Sequence, residues 1–253
     1  MSKTRLLRLV VPAYNEARNL PELCERLKGV LMGENIPYEL YIVDDGSRDG
    51  TQEAVKALSS SHPIHVVTHP VNRGIAAVFL SGLRAAAEKA DDDDPIAVLE
   101  GDGTSSPEIL PKMLRSLTDS CDVVIASRYA RGGGYRNFPF QRLMLSLGAN
   151  ILLRWVCRIP GVRDYTIFYR VYRAGPLRRA LEAHGDRFTS AGGFACNAEM
   201  LLRLKLFVRE VREVALLYDY GRKKGKSSMR IFSNLRSYLK LFRISHAESG
   251  GKA

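Results

Sequence analysis

Long apolar runs are missing from this chain: its 253 residues contain no window of about 18 uncharged apolar residues, so no membrane-spanning helix is expected. The nearest approach, residues 143–153, is too short and is bracketed by Arg142 and Arg154. Cysteine is scarce and scattered. Cys24, Cys121, Cys157 and Cys196 form no Cys-x-x-Cys pair, which argues against structural zinc and a disulfide framework and suits a reducing cytoplasm. The opening "MSKTRLLRLVVPAYNE" has no small-residue cleavage site, so no signal peptide is expected. No internal repeat is visible, and "RGGGYRN" lacks the Gly-x-Gly-x-x-Gly spacing of a dinucleotide fingerprint. Acid is in deficit: 27 Asp and Glu against 38 Lys and Arg give a net charge of +11. That balance calls for an anionic partner, whether nucleic acid, acidic lipid or phosphorylated small molecules.

What is present begins with alternation. Strand patterns at residues 6–14, 38–47, 64–69, 95–100 and 121–128 are separated by helical patterns at 20–32, 51–60, 75–90 and 107–117. Such a rhythm predicts an α/β fold, a mostly parallel sheet covered by helices. After about residue 130 it changes. The glycine-rich "RGGGYRN" reads as a flexible connection and is followed by an apolar helix over 140–156. Residues 165–173 read as a strand, 176–183 and 198–207 as helices, and 211–221 as one further strand. The last helix, 229–242, would put Met229, Phe232, Leu235, Leu239 and Phe242 on one face. It and the 140–156 segment each set basic residues beside an apolar face, the pattern of interfacial helices. The single Trp155 reads as a core or interface anchor.

Polar signals recur where strands end: Asn15 and Glu16; Asp44 and Asp45; Glu100, Gly101 and Asp102; Ser127 and Arg128. In open α/β sheets ligands bind beyond the carboxyl ends of the strands, so four such ends imply one cleft. Glu100 and Asp102 straddle a glycine, which lets both carboxylates approach one point. Oxygen donors of this kind suit Mg2+ or Mn2+. Asp44 and Asp45 suit the hydroxyl and N–H donors of a nucleoside. His62, His65 and His69 straddle a turn and a strand and read as structural or surface residues rather than metal ligands, and "DDDD" at 91–94 reads as a solvated loop. "GRKKGKSS" imitates a P-loop, but three residues rather than four separate its glycines, so a mobile phosphate-binding loop is the better reading.

Taken in order, "VVPAYNE", "IVDDGSRDGT", "NRG", "EGD", "ASRYARGGG" and "RKKGKSS" resemble the motifs of family-2 glycosyltransferases with the GT-A fold. The resemblance is to the dolichol-phosphate mannose synthase, or polyprenyl-phosphate mannosyltransferase, branch, and it runs over residues 8–240. It implies a nucleotide-diphospho-sugar donor, a divalent cation (Mg2+ or Mn2+), inversion at the anomeric carbon and a polyprenyl phosphate acceptor. By position, Pro12, Tyr14, Glu16, Asp44, Asp45 and Gly101 would bind the donor, and Glu100 and Asp102 would hold the metal. Arg142, Ser146, Arg222 and Lys226 would hold the acceptor phosphate, and Asp102, Arg128, Arg142 and Arg222 would serve catalysis. Residues 1–245 would form one domain, with a nucleotide-sugar half to 130, an acceptor half from 131, and a disordered tail over 246–253. Two departures stand out: Glu100 replaces the first Asp of Asp-x-Asp, and Ser228 replaces the Lys that closes the basic motif.

The chemistry fits the resemblance. Charge building on a diphosphate leaving group is neutralised by a Lewis-acidic metal and by guanidinium forks. A phosphate monoester acceptor is already anionic, so it needs a positive pocket more than a strong base, in keeping with the lack of His beside the carboxylate motifs. The implied setting is the cytoplasmic face of a membrane, with peripheral contact to anionic lipid. Two alternatives are a soluble or saccharide acceptor and, from another class, a nucleic-acid-binding protein. The strand-end carboxylates would repel a nucleic-acid backbone, so no nucleic-acid partner is expected. A catalytically inactive scaffold would follow if Glu100 failed as a ligand.

Overall fold

The computed structural model describes residues 5–101, 104–222, 241–242 and 244–245, the side chains of residues 194 and 222 excepted. Five strands of the first half follow the alternation: β1 (Leu7–Ala13), β2 (Tyr38–Asp44), β3 (Ile64–Thr68), β4 (Pro95–Val98) and β5 (Val123–Ser127). Between them lie α1 (Leu20–Gly33), α2 (Thr51–Leu58), α3 (Ile75–Glu88) and α4 (Leu110–Ser116). Helix α1 buries Leu20, Leu23, Cys24, Leu27 and Leu31, a 3.6-residue stripe that faces the sheet. Strands β4 and β5 are buried along their whole length, and β1 and β2 nearly so, which is why they read as continuous Val and Ile runs.

The second half adds β6 (Gly134–Arg136), α5 (Phe140–Cys157), β7 (Arg170–Arg173), α6 (Ala174–His184), α7 (Cys196–Leu204), β8 (Val211–Ala215) and β9 (Leu217–Asp219). Seven strands form one sheet in the order β3-β2-β1-β4-β7-β5-β8. Only β7 runs antiparallel, wedged between β4 and β5. The order reverses at β1, flanked by β2 on one side and β4 on the other, and a ligand crevice belongs at such a switch point. The register sets Ala13 level with Asp44, and Asp44 level with Thr68, so the polar loops after β1, β2 and β3 leave the sheet together.

Several local expectations need correction. The glycine-rich "RGGGYRN" is not a plain connection, because Gly134–Arg136 pairs in parallel with Leu217–Asp219 as a second, two-stranded sheet. The expected single strand over 211–221 therefore breaks at Leu216 and serves two sheets. Of the strand pattern at 165–173, only Arg170–Arg173 is strand. The "DDDD" run is a solvated loop over 91–93, as expected, but Asp94 is buried and takes Arg8 Nη1 at 2.7 Å, while Asp93 takes Arg173 at 2.6 Å and Asp92 takes Arg178 at 2.5 Å. Three aspartates thus tie β1, β7 and α6 together. Trp155 is no core residue, since it is 64% exposed. All four cysteines are free and buried, with the Cys24 and Cys157 thiols pushed up to about 12 by burial. Among the described residues no helix is long and apolar enough to cross a membrane. The expected helix at 229–242, the loop at 223–228 and the tail at 246–253 lie outside the described residues, apart from residues 241 and 242.

Candidate active site

The loops after β1 and β4 meet through glycine. A Cβ on Gly101 would stand 2.7 Å from the carbonyl oxygen of Pro12 and 3.8 Å from Glu16 Cγ, so only glycine lets the "EGD" turn lie against the "PAYNE" turn. Pro12 is the penultimate residue of β1, Tyr14 is 46% exposed just beyond it, and Glu16 accepts from Asn19 Nδ2. Glu100 stands half-buried two residues past β4, its Oε2 accepting from Thr104 Oγ1 at 3.3 Å and its N–H donating to Ser105 Oγ at 3.2 Å. Asp102, the other expected metal ligand, lies outside the described residues. Among the described residues no three His, Cys, Asp or Glu converge into a metal cluster. An oxygen donor such as the Glu100 carboxylate is of the kind a hard cation takes, with substrate phosphate oxygens ordinarily completing the shell.

The second acidic pair is built differently. Asp44 is fully buried and accepts from Ser47 N–H at 3.0 Å and Gln52 Nε2 at 2.8 Å. Asp45, 2% exposed, accepts from three groups: His69 Nδ1 at 2.7 Å and Arg73 N–H at 2.9 Å on Oδ1, and Gly74 N–H at 2.8 Å on Oδ2. Gly46, at φ +72°, makes this possible. A Cβ there would stand 2.8–2.9 Å from the backbone of Val71 and Asn72, so the loop after β2 docks directly on the loop after β3. The first turns are stitched further by Asn15 N–H to Ser47 Oγ, Arg48 N–H to Asn15 Oδ1 and Glu16 N–H to Thr51 Oγ1, each 2.9 Å.

On the other side of the sheet, Arg128 follows β5. Its Nε and Nη2 fork onto Asp164 at 2.8 and 2.7 Å, and Nη2 also reaches Thr166 Oγ1 at 2.6 Å. Its Nη1 has no hydrogen-bond partner among the described residues. The rings of Tyr129, Tyr135 and Tyr218 surround its guanidinium carbon at 5.3–5.8 Å. Burial opposes the charge on Arg128, but the Asp164 carboxylate outweighs it and holds the guanidinium protonated; the same pairing overcomes burial at Asp164 and keeps its pKa low. Tyr129 OH lies 2.7 Å from Tyr135 OH, and both hydroxyls lie within 3.2 Å of Ser146 Oγ on α5. Asn150, one turn further, donates to Tyr129 OH and Thr166 Oγ1. Arg142, one turn earlier, donates to Tyr220 OH at 2.9 Å, two residues before Arg222. The structure therefore brings Arg128 and Ser146 into one cluster, which Arg142 joins through Tyr220 and the Phe138 ring that packs between Tyr220 and Tyr135. The side chain of Arg222, and Lys226 altogether, lie outside the description.

Sequence reading passed over several members of this constellation. Asp164, Thr166, Asn150 and Tyr220 lie in none of the motifs quoted above, and Tyr129 and Tyr135, though inside "ASRYARGGG" and "RGGGYRN", carry no mark there of their place around Arg128. His69 was expected to be structural or surface; it is buried, and its partner is Asp45.

Comparison with known proteins follows the same lines. The sequence profile of Glycosyl transferase family 2 matches residues 9–181. The chain is 35% identical over 156 residues to the dolichol-phosphate mannosyltransferase of Pyrococcus furiosus, covering 62% of this chain but 42% of that one. It is 32% identical over 173 residues to the polyprenol monophosphomannose synthase of Mycolicibacterium smegmatis, covering 68% of this chain and 63% of that one. Against the undecaprenyl-phosphate mannosyltransferase of Micrococcus luteus, identity is 29% over 221 residues, 87% of this chain and 86% of that one. The chain thus spans less than two thirds of the first two relatives and most of the third. Among solved structures, the glucosyl-3-phosphoglycerate synthase of Mycobacterium tuberculosis, crystallised with Mn2+, UDP-glucose and phosphoglyceric acid, matches with a TM-score of 0.64 at 17% identity, a likeness of fold over 97% of this chain and 80% of that one. With the profile spanning both the "PAYNE" and "EGD" turns, and the sheet reversing at β1 between them, the chain belongs to glycosyl transferase family 2 and has the GT-A fold.

Proposed function

We propose that this chain is an inverting, metal-dependent transferase that moves a mannosyl group from a nucleotide-diphospho-sugar to a polyprenyl phosphate at the cytoplasmic face of a membrane. The observation that carries the reading is the two-sidedness of α5. One side sets Arg142, Ser146 and Asn150 at successive turns toward the Arg128 cluster. The opposite side exposes Phe140 (73%), Met144, Ile151 (67%) and Trp155 (64%). A single helix thereby offers a cationic, hydroxylated face for a phosphate and an apolar face for the lipid phase, with Arg154 and Arg158 exposed beside it for anionic headgroups. The names of the three relatives, each a mannosyl transferase acting with a dolichol or polyprenol phosphate, support the choice of sugar and acceptor.

Glu100 and Asp102 would hold the divalent ion, which supplies Lewis-acid neutralisation of the diphosphate. The turn after β1, with Asp44 and Asp45, would take the nucleoside. In the transfer, an anionic oxygen of the acceptor phosphate forms a bond to the anomeric carbon as the bond from that carbon to the β-phosphate oxygen breaks, releasing nucleoside diphosphate. The attacking oxygen carries no proton, so positioning by Arg142, Ser146 and Arg222 substitutes for a general base.

The test is transfer from a panel of radiolabelled nucleotide sugars to polyprenyl phosphate or to the corresponding alcohol in vesicles, with and without Mn2+. The phosphate should be glycosylated and the alcohol left untouched. Arg142→Lys, which keeps charge but loses the fork, should lower turnover about tenfold or more. Equal use of phosphate and alcohol, or full activity in Arg142→Lys, would transfer the assignment to a soluble or saccharide acceptor.

A further inference from the structure

We propose that His69 and Ser81 are positioning residues for the donor nucleoside, acting through Asp45; this rests on the reading above that Asp45 lies in the donor site. His69 stands one residue past β3, with its N–H donating to the Asp44 carbonyl at 2.8 Å. Its ring is held at both nitrogens, Nδ1 at 2.7 Å from Asp45 Oδ1 and Nε2 at 3.0 Å from Ser81 Oγ on α3. A carboxylate accepts only, so Nδ1 carries the proton, and in the neutral ring Nε2 accepts the Ser81 hydroxyl.

The order Ser–His–Asp is that of a hydrolytic relay, but the surroundings give it another purpose. Ser81 lies in the middle of α3, and Asp45 is tied by two backbone N–H groups into residues 73–74. The relay is a strut. It runs from a helix packed on the sheet, through an imidazole, to a carboxylate at the switch-point end. Its effect on Asp45 is specific. Oδ1 accepts from both His69 and Arg73 and is saturated, whereas Oδ2 accepts only Gly74 N–H among the described residues. One acceptor position is left, on the oxygen that His69 does not touch, and it matches the ring N–H of a guanine or uracil. Without the imidazole the carboxylate keeps only its two backbone N–H bonds, and that position is held less firmly.

Calorimetric titration with GDP and with UDP, in the presence of Mn2+, tests the strut alongside steady-state transfer. His69→Phe should weaken nucleotide binding and raise the donor KM by about tenfold, the weight of one charge-assisted hydrogen bond, with kcat within about twofold. His69→Asn, whose amide N–H can stand where Nδ1–H stood, should recover most of the affinity. Ser81→Ala should weaken binding by roughly twofold to fivefold. Should His69→Phe fail to fold by circular dichroism, His69→Asn and Ser81→Ala decide the matter. Wild-type affinity in both His69→Phe and Ser81→Ala, or a loss confined to kcat, would overturn the positioning role while leaving the transferase reading intact. If neither nucleotide binds the wild-type protein, the donor-site reading fails and takes the strut with it.

Discussion

The two ends of the central sheet both bury charge, but they balance it by different means. At the amino ends of the parallel strands, acids meet arginines. Asp94 pairs with Arg8, and Asp122 accepts from Arg173 Nε at 3.1 Å and Arg209 Nη2 at 2.6 Å. At the carboxyl ends on the donor side, Asp44 and Asp45 are as deeply buried, yet their hydrogen-bond donors are backbone N–H groups, one glutamine and one imidazole. Burying an unneutralised carboxylate is costly unless hydrogen bonds compensate. The first end is therefore closed electrically and serves stability. The second keeps negative charge in reserve where the loops after β2 and β3 dock on each other, and under the proposed function a cation and a nucleoside would complete the balance there. The acceptor side adds a third solution. Arg128 is neutralised by Asp164 and encased in tyrosines, so it forms a rigid floor, while Arg142 stands on the cleft side of α5 and contacts Tyr220.

The largest expected effect comes from removing the reserve at the carboxyl end. Asp102→Asn, or chelation of divalent ions, should reduce transfer to background while leaving the thermal unfolding midpoint close to wild type. Glu100→Asp should retain or improve activity, because it restores the shorter carboxylate. Transfer that survives Asp102→Asn at the wild-type rate would show that the metal reading belongs elsewhere.

Breaking the closed end should do the converse. Arg8→Met leaves buried Asp94 with the N–H groups of Leu6 and Asp91 and no cation partner among the described residues, a situation that costs about 3–5 kcal/mol. Replacing both members, Arg8→Met with Asp94→Leu, should recover most of that loss in urea denaturation, because the charge then left without Arg8 is that of Glu39, which is partly exposed to water. Donor affinity should be the same in both variants. A change in nucleotide Kd as large as the change in stability would erase the distinction between the two ends.

How far all this was readable from the residues depends on distance along the chain. Helices α1 and α3 and strands β1 to β5 were legible because their periodicity is local: a stripe such as Leu20, Leu23, Leu27 and Leu31 sets its own conformation. The insertion of β7 between β4 and β5 was not legible, since nothing in "RVYR" records that its neighbours are Val98 and Ile125. The ion pairs of the "DDDD" run were not legible for the same reason, its arginine partners lying 80–86 residues away. At the site, carboxylates at strand ends announced themselves because apolar runs stop there abruptly. His69 was judged by its spacing to other histidines, whereas its partner Asp45 lies 24 residues earlier, just past a different strand. Asp164 and Arg128 are 36 residues apart, and nothing in the motifs that hold Tyr129 and Tyr135 records that their rings surround Arg128.

The smallest effect, and the finest test of the contrast, is expected in acid. Asp122 sits just before β5 and accepts from Arg173 and from the backbone and side chain of Arg209. Burial works to raise its pKa, but the bonds and charge of Arg209, with the charge of Arg173, hold it below the usual carboxylate range. A carboxyl whose pKa is lower folded than unfolded contributes stability that is complete above its unfolded value, about 3.9, and is lost as pH falls through the folded value beneath it. Asp122→Asn keeps the shape but not the charge, and should lose about 1–3 kcal/mol near neutrality. As pH falls below about 4, wild type must surrender the same contribution, so the two urea-unfolding curves should converge. Asp164, also depressed by its arginine, stays in both proteins and adds equally to their shared acid loss. A gap between wild type and Asp122→Asn that stays constant down to pH of about 3 would mean that the difference does not come from ionisation of the Asp122 carboxyl, and this site would then owe nothing to its paired charges.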